Sequence, residues 1–181
     1  TQTGDAFLWR KEVAACTQAQ GWIDHAKDRS EYILEAARFN SSGMDFAPSM
    51  YKDGKIVFTS DRSTSSGEEI YQWTGREFSD LFVVDAKKGG VEAFDAVFNS
   101  NYNDGTIAFN KDYTEAYFSR CGQDNNDEKT NYCKLMASMF ENGKWSKPKP
   151  MTEIMIENTN YAQPTLSADG KTLYFATDIL D

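Results

Sequence analysis

One sequence segment occurs three times in this chain, and its spacing constrains the fold more than any other feature. Each copy has a short polar stretch that ends at an Asp, followed by an apolar run that ends at a Phe. The copies span Pro48–Arg62, Ile107–Arg120 and Pro164–Asp178. An Asn-Ser or Asn-Thr pair precedes every copy, and the pairs begin at Asn40, Asn99 and Asn158, 59 residues apart both times. A fixed period predicts a repeat architecture in which each copy is one structural unit.

Within each copy, the pattern predicts two antiparallel strands joined by a tight turn. Asp53-Gly54 and Asp169-Gly170 carry the turn, because Gly supplies a positive φ at no steric cost. Tyr113 replaces this Gly in the middle copy, so its turn must differ or carry strain. The predicted second strands are Ile56–Phe58, Ala116–Phe118 and Leu173–Phe175.

Additional strands raise the number to four per repeat. Third strands are predicted at Leu81–Asp85 and Lys134–Ser138, and the fourth is the segment that leads into the next Asn-Ser or Asn-Thr pair. Asn142-Gly143 predicts a hairpin turn between the third and fourth strands of the second repeat. Four antiparallel strands per repeat are typical of a β-propeller blade. Ser63–Ser79 and Gly122–Tyr132 are insertions that lengthen the period beyond the roughly 40–45 residues of compact propeller repeats.

The sequence therefore predicts a mainly β fold, a partial β-propeller of four-stranded antiparallel blades preceded by a short α-helical segment. Residues 1–28 are assigned to the terminal helix of a helical-repeat region. Residues 29–181 are assigned to two blades and the first hairpin of a third. Because propellers close with roughly four to eight blades, we expect the chain to be a piece of a longer protein.

Residues 5–25 predict an amphipathic helix, because Trp9, Val13 and Cys16 recur at helical spacing. Cys16 is predicted to be a buried free thiol in this apolar stripe. His25, just past the helix, is predicted to be solvated or to cap the helix. Residues 31–39 look helical by propensity alone, but their alignment with the segments before Asn99 and Asn158 predicts an extended conformation.

Cys121 and Cys133 bracket an acidic, polar loop, so a disulfide between them is geometrically natural. Such a bond restricts the unfolded chain and requires an oxidising compartment. The alternative is two free thiols at strand ends. Within the loop, residues 124–128 offer oxygen ligands to Ca²⁺ but lack the spacing and the Gly of an EF-hand loop. A solvated loop tip is therefore favoured, and no metal site is predicted.

The composition excludes some partners and points to no chemistry. A formal charge of −9 and a pI of about 4.7 argue against nucleic-acid binding, which needs clustered Lys and Arg. No apolar run approaches the roughly 20 residues of a membrane span, and any export signal has been removed or lies upstream. His25 is the only histidine, and no nucleophile elbow or phosphate-binding loop occurs. We therefore predict no catalytic residue and no cofactor.

Two surface features remain open to interpretation. Tyr71, Trp73 and Phe78 are a possible interaction surface for a glycan or a protein, and the alternative is that they cover the outer surface of a blade. Lys147–Pro150 is a short extended stretch that we interpret as protection of a strand edge.

Several blocks resemble a known family. "FAPSMYKDGKIVFTSDR" (46–62) and "YAQPTLSADGKTLYFATD" (161–178) resemble the TolB-type, WD-like β-propeller repeat. "YQWTGREFSDLFVVD" (71–85) and "NGKWSKPKPM" (142–151) resemble its version in Bacteroidetes outer-membrane proteins of the OmpA family, which include PorE-type periplasmic components of type IX secretion and gliding. "AACTQAQGWIDHAK" (14–27) is similar to the last tetratricopeptide-like helix before such propellers. Tyr113 departs from the pattern, because the family has Gly there.

The resemblance implies a non-catalytic scaffold in the periplasm, associated with the outer membrane. Its partners would be periplasmic or outer-membrane proteins, and peptidoglycan would be bound by a domain outside these residues. The main alternative is a sensor that binds a glycan or a peptide. A propeller that gates an enzyme is a third interpretation.

Overall fold

The computed structural model describes residues 3–25, 33–63, 70–71, 75–122 and 132–179. The chain forms two compact units, Thr1–Ala37 and Arg38–Asp181. The predicted boundary between residues 28 and 29 lies outside the described residues.

The first unit contains the helix α1, Thr3–Asp24, which confirms the predicted helix. His25 follows it, and its Nδ1 lies 2.7 Å from the carbonyl oxygen of Gly21. The exposed His25 ring therefore caps the last turn, as predicted.

The predicted burial of Cys16 is wrong, because this free thiol is exposed. Trp9 and Val13, on the same apolar stripe, are exposed as well. One amphipathic helix cannot bury its own stripe, and α1 is the only α-helix among the described residues.

The second unit is mainly β and consists of antiparallel sheets. Its strands are β1 (Asp45–Tyr51), β2 (Lys55–Ser60), β3 (Ile70–Tyr71), β4 (Arg76–Glu77), β5 (Asp80–Asp85), β6 (Gly89–Ala93), β7 (Asn103–Phe109), β8 (Glu115–Cys121), β9 (Cys133–Glu141), β10 (Lys144–Trp145), β11 (Lys149–Pro150), β12 (Tyr161–Leu166) and β13 (Leu173–Thr177). The first sheet has the order β1-β2-β5-β6. The second has the order β7-β8-β9, with both β10 and β11 paired to β9, and the third is the hairpin β12-β13.

The predicted second and third strands are confirmed as β2, β8 and β13 and as β5 and β9. The fourth strands lie earlier than predicted. In the second repeat pairing ends at Pro150, and the segment 151–157 forms turns and no strand. Residues 33–39, the described part of the segment predicted to be extended, lie outside helices and strands, and residues 38 and 39 form a turn. The described residues contain no earlier sheet to which this segment could add a strand.

A β-bulge interrupts the first strand of every copy at the same place. The bulge residues Ala47, Thr106 and Gln163 all have positive φ, at 49°, 45° and 55°. Opposite the residue before each bulge lie Thr59, Ser119 and Ala176. The bulges therefore define equivalent positions in the three copies.

The turns after the first strands also repeat. Asp53 and Gly54 both have positive φ, as a tight hairpin turn requires. Tyr113 has a φ of 55°, which is uncommon for a residue with a large side chain. The predicted strain is therefore present, and the Asn110 side chain supports this turn by accepting hydrogen bonds from the backbone N–H groups of Thr114 and Glu115.

An apolar core lies where the first and second sheets meet. Its buried residues come from both sheets and from the chain between them, and they are Val57, Leu81, Phe98, Ile107, Ala116, Phe118, Met136 and Trp145. Phe98 is fully buried at its centre, with its ring centroid 5.3 Å from those of both Phe118 and Trp145. This core fixes how the two sheets stack, because burying large aromatic side chains is strongly favourable.

Candidate functional site

The contacts between successive sheets are the most regular feature of the second unit. We call the contact between the first and second sheets the first seam, where β7 touches β1, β2 and β5. The second seam lies between the second and third sheets, where β12 touches β7, β8 and β9.

A hydrogen bond from a bulge to a hydroxyl group occurs in both seams. In the first seam the backbone N–H of Thr106 donates to Oγ1 of Thr59, at 3.0 Å. In the second seam the N–H of Gln163 donates to Oγ of Ser119, at 2.8 Å. The hydroxyl group belongs to the preceding sheet each time, and both hydroxyl residues are buried. Each of these bulge N–H groups therefore finds its acceptor in a buried hydroxyl of the preceding sheet, supplied by Thr in one seam and by Ser in the other.

An asparagine makes the second repeated contact. Oδ1 of Asn103 accepts from the backbone N–H of Ser79, at 3.0 Å. Oδ1 of Asn160 accepts from the N–H of Cys133, at 2.8 Å. Ser79 and Cys133 both stand where the third strand of the preceding sheet begins. Two equivalent hydrogen bonds therefore join each pair of successive sheets.

In the first two copies, an Asp–Arg ion pair joins the strands to the chain beside the preceding Asn-Ser pair. We call each Asn-Ser or Asn-Thr pair the landmark of its copy. Nη2 of Arg62 lies 2.7 Å from Oδ1 of Asp45, and it also donates to the carbonyl oxygen of Phe39. Arg120 uses two nitrogens for the equivalent partners: Nε lies 2.5 Å from Oδ1 of Asp104, and Nη2 donates to the carbonyl oxygen of Phe98 at 2.7 Å. A charge-assisted contact of this kind is stronger than a neutral hydrogen bond.

The serine of each Asn-Ser landmark completes this arrangement. The hydroxyl of Ser41 donates to Asp45 at 3.0 Å, and that of Ser100 donates to Asp104 at 2.6 Å. Asn99 reaches across the first seam, where its side chain both accepts from and donates to the backbone of Leu81. The landmark that defines the period is therefore a structural element of the repeat.

Asp104 is fully buried in the first seam, and its environment alters its acidity. Burial raises the pKa of Asp104 to about 6, although the Arg120 guanidinium and the Ser100 hydroxyl lower it. The nearby Asp80 carboxylate, itself buried, raises the pKa further. Asp104, Asp80 and Arg120 thus lie close together in a poorly solvated environment, which favours the neutral form of a carboxyl group.

The structure joins Cys121 and Cys133 in a disulfide with an S–S distance of 2.06 Å. The two residues lie directly opposite each other at the ends of β8 and β9. A Cβ atom on the adjacent Gly122 would lie 2.2 Å from Cδ1 of Tyr102, so any larger residue there would have to displace the Tyr102 side chain. The acidic segment 124–128 lies outside the described residues.

A cavity of about 430 Å³ opens beside the disulfide. It is lined by Gly122, Tyr132, Lys134, Pro150, Thr152, Met155, Ile156, Glu157, Asn158 and Thr159. Polar, charged and apolar groups are mixed in this lining, so the cavity offers both hydrogen bonds and apolar contact.

The structure describes only part of the three aromatic residues in the first insertion. The backbone of Tyr71 pairs with Arg76 in the β3-β4 hairpin, and Phe78 is half-buried beyond β4. Trp73 and the side chain of Tyr71 lie outside the described residues. An interaction surface at Tyr71, Trp73 and Phe78 stays a prediction.

The residues that we interpreted as edge protection form the outer strand of the second sheet. Lys149 and Pro150 make up β11, which pairs with β9. Among the described residues, no strand pairs with the other side of β11. Proline suits such an edge because it has no N–H to offer a further strand.

The described part of the chain contains no group of three or more His, Cys, Asp or Glu residues placed to hold a metal ion. No helix within the described ranges is both long enough and apolar enough to cross a membrane.

Comparison of the sequence with protein-family models and with curated proteins finds no match. The resemblance to TolB-type repeats therefore stays a prediction.

Sequence analysis missed the carboxylates of the Asp–Arg ion pairs and the hydroxyl residues of the seams. Asp45 and Asp104 carry a signal that was available, because each follows its landmark Ser by four residues with the same 59-residue spacing. The hydroxyl residues Thr59 and Ser119 are 60 residues apart and of different type. Only the bulge register shows that these two are equivalent.

Proposed function

We propose that the second unit is part of a TolB-type β-propeller, and that the protein is a non-catalytic scaffold associated with the outer membrane in the periplasm. The observation that carries this proposal is the repetition of the seam. The same two hydrogen bonds join the first sheet to the second and the second to the third. Radial repetition of antiparallel sheets through equivalent contacts is how propellers are built.

The disulfide supports the periplasmic location. Disulfides persist in oxidising compartments such as the bacterial periplasm and are rare in the cytosol. Cys121 and Cys133 are bonded, whereas Cys16 is a free, exposed thiol. Alkylation of intact cells followed by reduction and a second alkylation tests this location. We expect the first reagent to label Cys16 alone, and labelling of all three cysteines before reduction would contradict the proposal.

The proposed partners are periplasmic or outer-membrane proteins, as in type IX secretion or gliding machinery, with peptidoglycan bound by a domain outside these residues. The open side of the first sheet supports protein contact. Phe46 and Met50 on β1 are 42% and 61% exposed. Pro48, between them, is exposed, whereas its equivalents Ile107 and Pro164 are buried in the seams. An exposed apolar surface of this kind is typical of interaction sites.

Site-specific photo-cross-linking in cells tests the scaffold function. A photoreactive amino acid in place of Met50 probes the open side of the first sheet. The same substitution at Lys87, an exposed residue in the β5-β6 turn, is the matched control. We expect Met50 to give a discrete cross-linked protein that Lys87 does not give. Equal or absent cross-linking at both positions would count against a scaffold that uses this surface.

A ligand-binding sensor is the second candidate, and the cavity beside the disulfide favours it. Lys134 and Glu157 supply charges and Tyr132 an aromatic ring, a combination that suits a glycan or a peptide. Calorimetry with peptidoglycan fragments tests this candidate. Saturable binding below millimolar concentration, lost in Glu157→Ala, would favour the sensor, whereas absence of binding would favour the scaffold.

A further inference from the structure

The disulfide occupies a position that repeats along the chain. Cys121 lies two residues after the seam hydroxyl of its sheet, and Asp61 holds the same place in the first sheet. Cys133 lies two residues before a fully buried leucine, and Ser79 holds that place in the first sheet. The first sheet therefore has an Asp and a Ser where the second sheet has two bonded cysteines.

In the first and third copies, the Asp at this position holds the residue just before the first strand. Oδ1 of Asp61 accepts from the backbone N–H of Met44, at 2.6 Å. Asp178, its equivalent in the third copy, accepts from the N–H of Asn160 at 2.8 Å. Cys121 has no carboxylate and forms the disulfide instead. In the second sheet, a covalent bond to the third strand therefore stands where the other copies have a hydrogen bond to the first.

The disulfide adjoins the second seam. The N–H of Cys133 donates to Oδ1 of Asn160 at 2.8 Å, and Nδ2 of Asn160 donates to Asp178 at 2.7 Å. In the first seam both the N–H and the hydroxyl of Ser79 donate to Asn103. The sulfur of Cys133 is in the disulfide, so among the described contacts only its N–H reaches the asparagine. The disulfide thus fixes the residue of β9 on which this contact of the second seam depends.

We propose that the Cys121–Cys133 disulfide is a redox-sensitive device that controls the second seam. A dithiol reductant converts both sulfurs to thiols and is itself oxidised to a disulfide, in a two-electron exchange. Both cysteines are half-buried rather than buried, and this exchange requires access to the sulfur.

Reduction acts on the second seam because it frees the first residue of β9. The ends of the segment between the cysteines are then no longer joined, so the start of β9 opens more often. The contact of Cys133 with Asn160 breaks in the open form, and the bond from Gln163 to Ser119 is weakened with it. The first seam contains no cysteine and keeps its contacts. This control goes beyond the proposed function, since it concerns how two sheets are joined and not what they bind.

Hydrogen exchange of the complete protein, read at individual amides by NMR with and without dithiothreitol, tests the proposal. Reduction should make the amides of Cys133 and Gln163 exchange about tenfold faster or more, because the disulfide no longer limits local opening. The amides of Ser79 and Thr106 make the equivalent bonds in the first seam, and their exchange should not change. Removal of dithiothreitol under air should restore the slow exchange.

Two double variants separate the effect of the bond from that of the residues. Cys121→Ser with Cys133→Ser should give the fast exchange without reductant. Cys121→Asp with Cys133→Ser gives the second sheet the Asp-Ser pair of the first, and Gln163 should exchange slowly in it with and without dithiothreitol. Cys16→Ser is the control and should respond as the unmodified protein does, since this thiol is free.

Four results would overturn the inference. Unchanged exchange on reduction would show that the bond does not control the seam, and faster exchange at Cys133 alone would confine its effect to its own loop. Equal acceleration at Ser79 and Thr106 would mean that reduction destabilises the whole unit. A response to dithiothreitol that persists in the Asp-Ser variant would assign the effect to another group. The proposed scaffold function fails separately, on the cross-linking results, which do not depend on reduction of the disulfide.

Discussion

Asp45 and Asp104 occupy equivalent positions in successive repeats and pair with equivalent arginines, yet their acidities move in opposite directions. Burial raises the pKa of Asp45, but hydrogen bonds from Ser41, Ser60 and Arg62 outweigh it and lower the pKa to about 2. At Asp104 burial prevails, and the pKa rises to about 6. The difference follows from position, because Asp104 lies in the first seam with Asp80 nearby, whereas Asp45 lies on the open side of the first sheet.

This contrast predicts that mild acid stabilises the protein. The pKa of Asp104 is higher in the folded state than its ordinary value of 3.8. Its contribution is therefore complete below about pH 3.8 and is lost as the pH rises through 6. Asp45 acts in the opposite sense, and its contribution is lost as the pH falls from 3.8 through about 2. Urea unfolding should give a free energy of unfolding about 1 kcal/mol larger at pH 5 than at pH 7.5.

Asp104→Asn is the variant that checks the origin of this pH dependence. It should flatten the stability profile between pH 5 and pH 7.5, because the titrating carboxyl is gone. Asp45→Asn is the matched control and should leave that part of the profile unchanged. A slope that survives in Asp104→Asn would assign the effect to another group.

The seam hydrogen bonds predict a difference between two conservative substitutions at Thr59. Thr59→Val keeps the shape but removes the acceptor of the part-buried N–H of Thr106, which costs about 1 kcal/mol. Thr59→Ser keeps the hydroxyl and should cost less. Chemical denaturation measures both, and equal stability of the two variants would show that the hydroxyl does not hold the seam.

Sequence analysis predicted the strands far better than their contacts. Apolar runs and Asp-Gly turns are local signals, and the strands β2, β5, β8, β9 and β13 follow them closely. The bulges at Ala47, Thr106 and Gln163 carry no local signal, since none of these residues favours a positive φ. Thr106 and Gln163 donate to a hydroxyl of the preceding sheet, whereas Ala47 forms the same bulge in the first sheet. The bulge therefore belongs to each hairpin, and only its hydrogen bond depends on a contact that the fold brings close.

The same reasoning explains the errors. The burial of Cys16 was inferred from an apolar stripe, but a stripe shows which side of a helix is apolar and not whether anything covers it. The fourth strand of the second repeat was predicted in the segment before Asn158, yet pairing ends at Pro150, because a strand requires a partner strand as well as a suitable sequence. The disulfide could be anticipated because both cysteines flank one loop, and β8 and β9 place them directly opposite each other.

The close approach of Gly105 to Thr59 predicts an energetic coupling across the first seam. A Cβ atom on Gly105 would lie 2.7 Å from Cγ2 of Thr59, so Gly105→Ala forces the seam apart. In the Thr59→Ser background that methyl group is absent, and the substitution should cost at least about 1 kcal/mol less. Denaturation of the four proteins in this double-mutant cycle measures the coupling. Additive effects would contradict a direct contact between the two residues.

The disulfide predicts a large and specific effect of reduction. Its cysteines are 12 residues apart in sequence, and closing a loop of this size stabilises a folded domain by about 3 kcal/mol, mainly by restricting the unfolded chain. Cys121→Ser with Cys133→Ser should lower the free energy of unfolding by about this amount, and reductant should have no further effect on the double variant. Cys16→Ser is the control, because this thiol is free and exposed, and its stability should equal that of the unmodified protein with the same loss on reduction. An unmodified protein that is equally stable with and without reductant would show that the bond contributes nothing to folding.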